Sequence, residues 1–85
     1  MKGRYMKIYL ISEYEEYGSH NVEASTDKKL FQEIVERRIA EYPDSKYQKL
    51  AREKLLELLD ADNLIDGKDL GKTWGGLQVH IVETK

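Results

Sequence analysis

YMKIYLIS, residues 5–12, is the run on which the fold turns. It is rich in β-formers and apolar enough for a central or half-buried strand. Side chains alternate across a strand, so Met6, Ile8 and Leu10 point one way and Tyr5, Lys7, Tyr9 and Ile11 the other. The first set is assigned to the buried face. Downstream, Asn21–Ser25 reads as a second strand with Val22 and Ala24 on one side. Between them ISEYEEYGSHN, residues 11–21, reads as a hairpin connection, with Gly18 supplying a conformation other residues avoid.

Farther out the period changes from two to 3.6. Ser25-Thr26-Asp27 is a cluster of N-cap residues, and from Lys28 onward Leu30, Phe31, Ile34, Val35 and Ile39 recur at helical spacing. Lys29 with Glu33, and Glu33 with Arg37, add i,i+4 support. Tyr42-Pro43 ends that helix, because the residue before proline is pushed out of the α region. Ser45 with Gln48 forms a capping box that opens a second helix, whose stripe of Tyr47, Leu50, Ala51, Leu55, Leu58 and Leu59 runs to about Asp60. Residues 60–73 read as a polar connection broken by Gly67 and Gly71, with a turn near Leu64-Ile65. LQVHIVE, residues 77–83, alternates strictly and is the strongest strand signal, with Leu77, Val79 and Ile81 facing in and His80 facing out.

These elements predict an α+β fold: a three-stranded, mainly antiparallel sheet in the order β-β-α-α-β, with both helices on one face. Residues 1–85 form a single domain, with residues 1–5 as a frayed extension before the strand. The predicted core is Met6, Ile8, Leu10, Val22, Ala24, Leu77, Val79 and Ile81 against Phe31, Ile34, Val35, Leu55 and Leu58.

Composition narrows the chemistry. A chain of 85 residues has a thin core, since so short a domain buries only about 60% of its unfolded surface. No cysteine is present, which excludes disulfides, thiolate metal sites and cysteine nucleophiles. No apolar run approaches the ~18 residues of a membrane span, and no secretory h-region opens the chain, so a cytoplasmic protein is expected. Charged residues make up 35% of the chain with a net charge of −2, and basic residues are interleaved with acidic ones. Nucleic acid recognition wants a one-signed stripe, so it is a minor expectation.

The short motifs give way under inspection. Gly67–Thr73, GKDLGKT, has three residues where a P-loop needs four before Gly-Lys-Thr, and a strand follows instead of a helix. Asp60–Gly71 has Leu64 and Ile65 where a calcium loop needs an oxygen ligand and a glycine. His20 and His80 are the only imidazoles, and their spacing demands no metal. Ser12, Ser19 and Ser25 lack a nucleophile elbow. No cofactor, metal or catalytic residue is expected.

Tyrosine is unusual: six occur in the chain, and tyrosine is enriched where proteins touch. With helices on one face, the reverse of the sheet is expected to carry Tyr5, Lys7, Tyr9, Ile11, Gln78, His80 and Val82. The run IYLISEYEEYGSHNVEASTDKKLFQEIV, residues 8–35, resembles small uncharacterised domains of phage and bacterial genomes. That resemblance covers the strand, aromatic-acidic loop, strand and first helix, and implies an accessory or host-modulating binder without catalytic residues.

The expectation is therefore a non-enzymatic protein-binding module. It would dock through the open sheet face or the 13–20 loop, using Tyr9, Ile11, Tyr14, Tyr17, Trp74 and His80, on a protein partner or a second copy as a homodimer. The alternative is single-stranded nucleic-acid binding, with Tyr5 and Tyr9 as stacking platforms and Lys2, Arg4 and Lys7 on phosphates. A third reading is a small enzyme using His20 or His80 with a neighbouring glutamate.

Overall fold

The computed structural model describes residues 6–15, 18–70 and 76–84, and of residues 14–15 and 18–21 the backbone alone. The order is β1 (Met6–Glu15), β2 (Gly18–Ser25), α1 (Lys28–Ala40), α2 (Ser45–Ala61), β3 (Ile65–Asp69) and β4 (Leu77–Thr84). The sheet has four antiparallel strands in the order β2-β1-β4-β3. The expected α+β class, hairpin and helix pair are present, and a fourth strand is added. The ISEYEEYGSHN segment is mostly strand, with Glu15 opposite Gly18. The left-handed glycine among the described residues is Gly67, at φ 84°.

β3 lies where the sequence reads as a connection. Its residues, IDGKD, hold one large apolar side chain and a glycine, so local propensity is poor. Pairing with β4 supplies what propensity lacks. Ile65 stands opposite Ile81, Lys68 opposite Val79 and Asp69 opposite Gln78, with an irregularity between Ile65 and Lys68. A backbone bond from Leu70 N–H to the Leu77 carbonyl, 2.9 Å, closes the ladder.

Both helices begin on an aspartate. The Asp27 carboxylate accepts from Lys29 N and Leu30 N, and the Asp44 carboxylate accepts from Lys46 N and Tyr47 N. Ser45 is therefore the first residue inside α2, not its cap, and the Gln48 side chain instead donates to the Tyr42 carbonyl across the interhelical turn. α2 ends on Asp62, which adopts the left-handed conformation (φ 56°) and returns its N–H to the Leu58 carbonyl at 2.9 Å.

Register decides which face is buried. Residues directly opposite in an antiparallel pair share a face. Tyr9 stands opposite Ile81, Ile11 opposite Val79 and Glu13 opposite Leu77, so the face of β4 that meets the helices takes Tyr9 and Ile11 with it. Both are core residues, 5% and 0% exposed. The assignment of Met6, Ile8 and Leu10 to the core is thus overturned: they lie on the reverse of the sheet. Ala24, opposite Leu10, joins them there, and Val22 follows by alternation.

The core packs Tyr9, Ile11, Leu77, Val79 and Ile81 of the sheet against Phe31, Val35, Ile39, Ala51, Leu55, Leu58 and Leu59, with Tyr47 and Leu70 sealing one end. Ile34 is half-buried at its margin, whereas Leu30 and Leu50, expected in the apolar stripes, are exposed. Within this layer the Tyr9 ring packs tilted against Phe31, with ring centroids 5.6 Å apart.

Candidate functional site

Two helices cover one face of the sheet; no described element covers the other. Down the middle of that open face run Met6, Ile8, Leu10 and Ser12 of β1, beside Val82, His80 and Gln78 of β4, with Val22 and Ala24 on β2. Met6 is 55% exposed, Val22 57% and Val82 38%, while Ile8 and Leu10 are half-buried among their neighbours. An apolar strip on a sheet that meets water is the feature that calls for explanation.

Charge is segregated with the same regularity. The charged residues of β1, β2 and β4 whose side chains are described are Lys7, Glu13, Glu23 and Glu83, and each falls in the helix-side register. Lys7 lies opposite Glu83, Glu13 opposite Leu77 and Glu23 opposite Ile11. On the β3 edge Asp69 stands opposite Gln78, in the open-side register, and its carboxylate accepts from the Gln78 amide at 2.9 Å; Asp66, exposed in the irregular stretch between Ile65 and Lys68, adds a second carboxylate to that edge.

His80 is half-buried on this face. Its Nε2 lies 3.3 Å from the Ser12 Oγ, and Ser12 is itself buried. The ring rests over Gly67, where an added Cβ would stand 3.2 Å from His80 Cε1, so the absence of a side chain at 67 makes room for the imidazole. The hydroxyl and ring thus meet as a nucleophile and a base would, but Ser12 sits in the interior of a strand without access for a substrate. The pair satisfies two polar groups between strands.

On the helix side, polar groups tie the layers together. The Tyr9 hydroxyl donates to Asp62 Oδ1 at 3.0 Å, and the Asp62 Oδ2 atom meets Lys7 Nζ at 3.3 Å and Lys28 Nζ at 3.5 Å. Burial alone would raise the Asp62 carboxyl, but hydrogen bonds from Tyr9 and Lys7 and the charges of Lys28 and Lys7 outweigh it and hold the group below its usual value. Burial, then the bond to Asp62 and its charge, push the Tyr9 phenol up to about 12. At the other end Arg38 reaches Glu23 (Nη2 to Oε2, 2.5 Å) and Glu13 (Nη1 to Oε1, 3.8 Å), and the Tyr42 hydroxyl donates to Glu13 at 3.2 Å. Burial is the main reason that the Tyr42 phenol is raised, with the Glu13 charge next. Ile34, Arg37 and Glu41 complete a cleft of about 260 Å³ around this cluster, whose guanidinium is already engaged by carboxylates.

The expected contact residues separate accordingly. Tyr9 and Ile11 are not on the open face, because the register with β4 turns them inward. His80 is on it. Tyr14 is placed by its backbone, opposite Ser19, while its side chain, Tyr17 and Trp74 lie outside the described residues, as do Lys2, Arg4 and Tyr5. Of the nucleic-acid set, Lys7 is bonded to Asp62 and Tyr9 is stacked on Phe31, so neither presents to a base or a phosphate. Asp62, within the acidic run weighed as a calcium loop, is instead the anchor of two lysines and a tyrosine. Among the described residues no group of three or more His, Asp or Glu converges as a metal site.

Neither a protein-family model nor a curated protein nor a solved structure matches the chain. No helix among the described residues is long and apolar enough to cross a membrane.

Val82 lies on the reverse face as expected, whereas Met6, Ile8, Leu10 and Val22 were expected in the core and not at a site. The signal was in β1 all the same. It is apolar in both parities, Met6-Ile8-Leu10 as much as Tyr9-Ile11, whereas a strand with one wetted face normally alternates with polar residues.

Proposed function

We propose that the protein is a non-enzymatic interaction module that docks another polypeptide on the open face of its sheet. One observation carries this reading: an uncharged strip of Met6, Ile8, Leu10, Val22, Ala24 and Val82 faces away from the helices in a chain of which 35% is charged. Apolar surface left open in water gains free energy when covered, roughly 25 cal/mol per Å² removed from solvent. Gln78, His80 and Thr84 flank the strip with hydrogen-bonding groups suited to a polar rim. The resemblance of residues 8–35 to phage and bacterial accessory domains supports the same class of role.

The test is to place one charge on the strip and ask what is released. Val82→Lys should keep the wild-type circular dichroism spectrum and thermal midpoint, because Val82 is exposed at the sheet surface. It should abolish retention of any partner that the wild-type domain holds. A partner bound equally by both proteins would place docking elsewhere on the molecule and defeat the reading.

A further inference from the structure

We infer that the occupant of the open face is a second copy of this chain, packed sheet on sheet about a twofold axis; the inference rests on the docking reading above. Charge is the first argument. In a twofold contact each patch meets itself, so any net charge on the patch meets its own sign. Over β2, β1 and β4 the strip satisfies that condition: Lys7, Glu13, Glu23 and Glu83, the charged residues there whose side chains are described, all lie on the helix side, and the carboxylates Asp66 and Asp69 belong to the β3 edge outside the strip. A surface selected for a foreign partner more commonly carries charges that steer and discriminate. Self-contact is the case in which a patch gains by having none.

Area is the second argument, and it sets the strength. The three strands that carry the uncharged strip, at about 4.8 Å spacing and each about eight residues at roughly 3.3 Å, give a face of about 400 Å². Two such faces remove roughly 800 Å² from water, within the range of weak, transient contacts and far below that of obligate dimers. The geometry points to a reversible dimer with the strips interdigitated between sheets about 10 Å apart.

The experiment measures solution mass by sedimentation velocity over a wide range of protein concentration. The expected result is a rise from the monomer mass of 10.0 kDa toward twice that value. Val82→Glu and Met6→Glu, each verified as folded by circular dichroism, should weaken the dimer by about tenfold or more, since each buries two uncompensated carboxylates in the contact. Association unchanged in both variants overturns the inference, because the copies would then meet through another face. A monomer at every concentration also overturns it, and a second readout then separates the two proposals. If Met6 in that monomer is oxidised by dilute peroxide as fast as a free methionine, the face is open and a foreign occupant remains the reading. If Met6 is protected in the monomer, the chain covers its own strip and both proposals fall.

Discussion

The two faces of this sheet are made from similar side chains and finished in different ways. On the helix side, apolar groups are ringed by polar anchors that reach another layer: Tyr9 and Lys7 to Asp62, Glu13 and Glu23 to Arg38, and the Tyr47 hydroxyl, which accepts the Leu77 N–H at 3.3 Å. On the reverse, the polar contacts among the described residues stay within the sheet, Ser12 with His80 and Gln78 with Asp69. The difference teaches that burial in this small domain is fixed at the rim. Tyrosines face inward where a carboxylate or a backbone group waits for the hydroxyl at the far end of the ring.

The largest test of that contrast sets Ile11→Ala against Met6→Ala. The first should lower unfolding free energy by about 3 kcal/mol, the usual cost of deleting most of a buried branched side chain, and the second by under about 0.5 kcal/mol. Urea denaturation followed by circular dichroism reads both, and equal losses would show that the reverse face is also a core. Next in size, Tyr9→Phe should destabilise by about 1 kcal/mol, the net worth of one hydrogen bond. The same substitution tests the alkaline limb. The Tyr9 phenol is raised from 10.0 to about 12 in the folded state, so its contribution is complete below pH 10 and is lost as pH rises toward 12. The wild type should therefore lose stability across that window more steeply than Tyr9→Phe.

The acid limb has the opposite sign. Asp62 is held below its ordinary value of 3.8, so between the two values the unfolded chain binds more protons and stability falls as pH drops. Asp62→Asn, which tolerates the left-handed backbone, should flatten that fall in denaturation midpoints measured below pH 4. The smallest effect belongs to the open side. Val22→Thr should move the midpoint by less than about 0.5 kcal/mol, and a larger loss would mean that β2 is covered.

Much of this architecture could be read from the chain. Periodicity gave both helices because Phe31, Val35 and Ile39, and Tyr47, Ala51, Leu55 and Leu58, keep strict spacing against charged neighbours. β4 was legible for the same reason at period two. β1 was not, since its two parities are nearly equal in hydrophobicity and the register with β4, a long-range property, breaks the tie. β3 escaped because pairing rather than composition makes it a strand. At the site, His80 could be placed opposite Val79 and Ile81 from alternation alone. Tyr9 and Ile11 could not, because their orientation depends on the pairing with β4 and, for Tyr9, on Asp62 and Phe31, all distant in sequence and adjacent in space.

The two central strands are also the first and the last, with Met6 opposite Thr84 and Ile11 opposite Val79. A chain emerging from the ribosome can zip β1 to β2 and wind both helices, yet the middle of the sheet stays half-made until β4 is out of the exit tunnel. Loop closure over nearly the full length must precede that final pairing, so synthesis leaves a long interval in which the β1 edge has no neighbour on one side. The middle of the sheet is complete only when β4, the last of its four strands in sequence, has paired with β1.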